Sequence, residues 1–266
     1  MRIALALVLA TGCSIDARAP EEPLARTNLL PLLGDPDVVP VGVAIAPDGK
    51  RFVLDEQRGL YRLDGDHATS IVSMSSMYPS DVPLELPVTD IVALGPDLFA
   101  VTALNDGFLL DTQAQTLTQH FCYLPGDDGS TPRVISQRTD ALAYDAAAGR
   151  LWAQPRTFDA VGELQLSQVA QYDRTTGQDL QWYVMARDIH ATAAVVMPDG
   201  VLVLGQGPHL LAFDPATDRP ARLDDLSRYG VRSIDGLAFD ALSGVLVVAD
   251  GTTDEVVDLD VSRLSL

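Results

Sequence analysis

The chain is predicted to be all-β, a β-propeller of about five four-stranded blades, on three observations. One unit recurs five times: an apolar strand, a short Asp/Gly turn, a second apolar strand, then a third ending in a hydrophobic residue and Asp. The second strands (KRFVL, DLFAV, GRLWA, GVLVL, GVLVV) place Phe52, Phe99, Trp152, Leu202 and Leu246 at spacings of 47, 53, 50 and 44 residues. No stretch carries a convincing 3.6-residue apolar period, so the repeat is built from strands, which marks a radial β-array.

Each unit divides into four strands. In the first, VGVAIAP, RFVLDE, GLYRLD and ATSIVSM are separated by PDGK, QR and GDH, residues that turn a chain through positive φ or local side-chain hydrogen bonds. The second unit reads VTDIVAL, LFAVTAL, GFLLD and TLTQHFCYL, and the third DALAYD, RLWAQ, SQVAQYD and DLQWYVM. The fourth has TAAVVMP, VLVLGQ, HLLAFD and ARLDDL; the fifth has IDGLAFD, VLVVAD, EVVDLD and SRLSL. The first two strands of each unit are near-continuous apolar runs, as expected of inner strands covered on both faces. Fourth strands are more polar, as outer edges should be. The third strands end in Asp64, Asp111, Asp173, Asp214 and Asp260, where a carboxylate can accept the N–H groups of its own turn. A sixth, eroded blade is the alternative, drawing on Leu29 to Leu33 and the Pro-rich stretch Ser73 to Pro87.

The N-terminus stands apart. Met1–Arg2 is a short basic head, Ile3 to Ala10 an apolar run too short to span a bilayer, and Ala10-Thr11-Gly12-Cys13 follows. This resembles a bacterial lipoprotein signal, with Ala10 where Leu is usual. The resemblance implies removal of residues 1–12 and acylation of Cys13, hence an extracytoplasmic protein anchored to a lipid bilayer. Ser14 in place of the usual retention Asp implies the outer membrane in a Gram-negative cell. Residues 13–27 (Cys13 to Thr27), rich in Pro, Ala and Glu, read as a tether, and residues 28–266 as the propeller domain. With Cys13 acylated, Cys122 has no disulfide partner, and its apolar setting (QHFCYLP) makes it an inert thiol.

Charge excludes one class of partner. The chain has 18 basic and 37 acidic residues and a single lysine, Lys50, which argues against nucleic acid. After the leader no apolar stretch is long enough to form a transmembrane helix.

The turn YDRTTG (Tyr172 to Gly177), its relative FDPATD (Phe213 to Asp218) and the hairpin DGLAFDALSGVLVVADG resemble those of NHL-repeat, gluconolactonase-like and quinoprotein-like propellers, over about Val41 to Leu266. Sites in such propellers lie where the innermost strands begin. The residues arriving there are Gly42, Asp90, Asp140, Thr192 and Asp235, with His190 two positions ahead in the fourth unit. Asp90, Asp140 and Asp235 at one channel mouth would offer Ca²⁺ or another divalent cation a hard-oxygen site; the competing expectation is that each carboxylate caps its own loop. No other cofactor is predicted.

Gluconolactonase-like propellers use such a cation to polarise an ester or lactone, and the resemblance would make this chain a metal-dependent hydrolase. Their pattern also calls for an early Glu and Asn ligands. The first inner strand here has no Glu, and the only asparagines are Asn28 and Asn105. The docking tryptophan of quinoprotein-like turns is displaced as well, Trp182 falling one residue late, which makes it a packing residue. G-x-S-x-G, H-E-x-x-H and paired-cysteine motifs are absent. The expectation is therefore a binding or scaffold module for an envelope protein, peptide or glycan, with His190 and Thr192 as further channel-mouth residues.

Overall fold

The computed structural model describes residues 21–34, 37–73, 87–103, 106–122, 136–158, 163–214, 216 and 219–266. The expected leader, Cys13 and the start of the expected tether lie outside this set. So do most of the Pro-rich stretch, the loop Pro125 to Pro132, Asn105 and the Cys122 side chain.

The elements run in chain order from β1 (Ala25–Asn28) and the short helix α1 (Leu29–Leu33) into the repeats. The first comprises β2 (Pro40–Ile45), β3 (Arg51–Asp55), β4 (Gly59–Asp64) and β5 (His67–Ser73). The second has β6 (Val88–Ala93), β7 (Leu98–Ala103), β8 (Asp106–Asp111) and β9 (Thr116–Cys122). The third has β10 (Ser136–Asp145), β11 (Arg150–Phe158), β12 (Leu164–Asp173) and β13 (Asp179–Met185). The fourth has β14 (Ala193–Val196), β15 (Leu202–Gln206), β16 (His209–Ala212) and β17 (Ala221–Asp225). The last has β18 (Gly236–Asp240), β19 (Val245–Asp250) and β20 (Glu255–Asp260).

The described residues form five four-stranded antiparallel sheets, so the blade number is five. Leu29 to Leu33 forms α1, started by the Asn28 side chain accepting the Leu30 N–H, and joins no sixth blade. The inner strands touch in sequence, β2 to β6 to β10 to β14 to β18 and back to β2, which closes the ring.

The fifth blade departs from the expected arrangement. Its order is β1-β20-β19-β18, so the outermost strand comes from the start of the domain. Ala25 to Thr27, which composition assigns to the tether, pair with Asp258 to Val256. SRLSL is not a strand: Val261–Arg263 is a 3₁₀ turn in which Asp260 accepts the Ser262 N–H. The physical reason is that β20 has an unpaired outer edge whose backbone groups need partners, and any extended segment can supply them.

Five apolar clusters fill the five seams between blades. Alternate residues of one strand serve different seams: Phe52 and Leu54 pack toward the second blade, while Val53 between them packs toward the fifth. That is why the inner strands read as unbroken apolar runs. Trp182 is a packing residue, its ring edge-on to Tyr172 at 5.8 Å, and Tyr172 stacks on Phe121 at 4.2 Å. Among the described residues no helix is long and apolar enough to cross a membrane.

Candidate functional site

The inner strands begin at one mouth of the channel and end at the other, and the two mouths differ in chemistry. At the first, Asp90 sits on β6 beside a bulge between Val88 and Asp90 and is 1% exposed. One of its carboxylate oxygens accepts the Ile91 N–H at 2.8 Å, the other the Leu142 N–H of the next blade at 2.7 Å. Burial pushes its carboxyl well above the ordinary range, those two N–H groups pull it back, and the charge of Asp235 pushes it up again.

Asp140 lies in the β10 bulge between Thr139 and Leu142 and is 2% exposed. It accepts from Arg138 Nε and from Arg156 Nη2. Arg156 also donates through Nη1 to His190 Nδ1 at 2.9 Å. An arginine cannot accept, so the neutral imidazole carries its proton on Nε2. Burial and then the Arg138 charge lower Arg156 to about 10. Burial and then the Arg156 charge lower His190, with Asp188 opposing.

Asp235 accepts the Gly251 N–H at 2.8 Å, and burial raises its carboxyl while Ser233 and Gly251 pull it down. Thr192 spends its hydroxyl on Ile234 O, tying the fourth blade to the fifth, as Thr89 ties the second to the third through Thr139 O.

The structure thus puts Asp90 and Asp235 within electrostatic reach of each other and Asp140 in a pair of guanidiniums. Among the described residues no three His, Cys, Asp or Glu side chains group closely enough to hold a metal ion. Asp140, neutralised by two arginines, is a poor cation ligand, and the donor set does not fit the Ca²⁺ site that the family resemblance implies.

Several residues that organise this mouth go unmentioned in the sequence reading. Asp55 accepts the Val39, Gln57 and Arg58 N–H groups, and Asp250 those of Arg232, Ser233 and Thr252. Gln206 accepts the His190 N–H and donates to Asp188 O. All three end a second strand and hold the loop that leads into an inner one. A polar residue recurring at the close of RFVLD, VLVVAD and VLVLGQ is the signal that could have found them.

The opposite mouth opens into a cavity of about 560 Å³ lined by inner strands from all five blades. Ile45, Ala93, Tyr144, Val196 and Phe239 occupy equivalent register positions and are all partly exposed to it.

No protein-family model matches the chain, and no curated protein sequence does. Solved structures with a similar fold include a candidate gluconolactonase, 13% identical with a TM-score of 0.51, covering 84% of this chain and 74% of its own. A chain of the mitotic checkpoint complex is 11% identical with a TM-score of 0.48 over 100% of this chain and 99% of its own. The extracellular domain of a candidate hybrid two-component system from B. thetaiotaomicron is 10% identical with a TM-score of 0.42 over 86% of this chain. The chain spans 27% of that last protein's length. At these identities the likeness is one of fold alone.

Proposed function

We propose that this chain is an extracytoplasmic binding module: a propeller held at a membrane through acylated Cys13, taking an envelope protein, peptide or glycan at the open end of its channel. One observation carries the reading, the cavity of about 560 Å³ to which every blade contributes, a size typical of ligand sites. The carboxylates at the other mouth weigh against the competing metal-dependent hydrolase, because each already serves backbone N–H groups or arginines. The anchoring rests on the residues around Cys13 alone.

The test is thermal melting with and without Ca²⁺ or Zn²⁺, combined with fractionation. A ligand bound only by the folded state raises the melting temperature by mass action. A binding module of this kind shows no divalent-dependent rise, and Asp140→Ala does not change that. Cys13→Ala releases the protein into the soluble fraction. A rise abolished by Asp140→Ala supports the hydrolase instead, and membrane retention of the Cys13→Ala protein ends the lipid anchor.

A further inference from the structure

We infer that the cavity at the open mouth receives apolar side chains of a basic peptide segment, an inference that rests on the binding-module reading and names its ligand. Two features of the cavity converge on that chemistry.

The wall is apolar. Ile45, Val92, Ala93, Tyr144, Val196 and Phe239 face it, and Leu242, 79% exposed, stands on a turn that lines the mouth. Large apolar groups left open beside a concave surface mark a place where something docks.

The rim is acidic. Each inner strand ends on a carboxylate or runs into a turn that carries one: Asp145 and Asp240 close β10 and β18, and Asp48, Asp97 and Asp199 stand in the turns after β2, β6 and β14. Two of the five are already paired within the rim, and Arg174 lies against the wall, donating to Tyr144 Oη at 2.9 Å and to Leu94 O at 3.2 Å. Lys50 pairs with Asp48 at 2.6 Å, Arg51 with Asp258 at 2.7 Å and with Asp240 at 4.0 Å, and Arg150 donates to Gln171 at 3.3 Å. Asp97, Asp145 and Asp199 hold no ion pair among the described residues. In a chain of net charge −19 this rim repels anions and draws cations.

The carboxylates without an ion pair among the described residues, Asp97, Asp145 and Asp199, stand on three separate blades. A small molecule with one cationic head meets only one of them, whereas lysines or arginines flanking an apolar side chain reach several while that side chain fills the cavity.

The experiment uses the full chain carrying Cys13→Ala, so that no detergent competes for the cavity, and three labelled peptides followed by fluorescence anisotropy. These are acetyl-KKLFKK-amide, acetyl-EELFEE-amide and acetyl-KKSGKK-amide. The first is expected to bind saturably, and each of the others at least roughly tenfold more weakly, since removing either buried apolar area or charge attraction removes part of the affinity. Ala93→Trp, which fills the cavity, is expected to weaken the first peptide by about tenfold or more. Leu242→Arg repels it from a largely exposed lip and serves should Ala93→Trp misfold. Equal binding of the KK and EE peptides, binding unchanged by Leu242→Arg, or no saturation below about 1 mM overturns the inference. The underlying reading fails separately: it falls on a divalent-dependent melting shift, and it survives if an envelope partner is retained equally with and without Ala93→Trp.

Discussion

Asp140 and His190 meet through Arg156, whose guanidinium donates to both and so makes one hydrogen-bonded unit of two blades. His190 is held neutral there, chiefly by burial and then by the Arg156 charge, against a weaker pull from Asp188. In the unfolded chain its imidazole returns to the ordinary value of 6.5. As pH falls through that value the unfolded state takes up the proton first, so stability is lost on acidification and the contribution vanishes above it. Urea midpoints compared at about pH 7.5 and about pH 5 are therefore expected to drop more for the native chain than for His190→Gln, which still accepts from Arg156 but does not titrate. Equal drops would show that His190 is not linked to folding. The carboxylates at strand ends were legible at this scale, because an Asp before a turn acts locally: Asp111, Asp173, Asp214 and Asp260 each accept the N–H of the residue two positions on, and Asp111 and Asp173 also that of the residue three on. The arginines around Asp140 were not legible, since pairing of Arg138 with Arg156 across β10 and β11 depends on register and a bulge, neither of which is written in composition.

The inner hairpins were readable because their residues answer to two seams at once and so are apolar throughout, but β1 had no such mark. ARTN is polar, and its burial pattern is mostly exposed. It becomes a strand because the edge of β20 is there to be paired, and side chains reinforce the pairing: Arg26 donates to Glu255 at 2.5 Å and also to Tyr229 O. SRLSL misleads for the opposite reason, being apolar enough for a strand while Asp260 turns it aside through the Ser262 N–H and hydroxyl. Joining the first strand of the domain to the last blade fastens the ring. A chain beginning at Leu29 is expected to melt roughly 10 °C or more below one beginning at Glu21, since each kcal/mol lost moves a domain of this size by about 2–4 °C. It should also aggregate through the bared edge of β20. Identical melting curves for the two chains would mean that the ring does not depend on this closure.

Across the whole molecule the channel carries hydrogen-bonded carboxylates at one mouth and a cavity at the other, and both need the inner strands to stand very close together. Gly236 shows how close. A β-carbon placed on it would lie 2.6 Å from Val43 N and 2.8 Å from Gly42 Cα, and one placed on Gly42 would lie 2.9 Å from Ile91 Cγ2. The first two contacts are with backbone, which has no side-chain rotamer to yield, so a methyl group there must push the fifth blade away from the first. Ring closure passes the strain to the other seams, whose clusters are packed too tightly to absorb it locally. Gly236→Ala is thus expected to cost about 1–3 kcal/mol by overpacking, read as a lower urea midpoint with an unchanged slope. Gly95→Ala is the matched control: its β-carbon would meet only Leu98 Cβ, at an ordinary 3.7 Å, and it should leave the midpoint where it is or raise it slightly. If the two substitutions behave alike, the inner strands are not in the close ring described, and the cavity that they frame at the open mouth loses its walls.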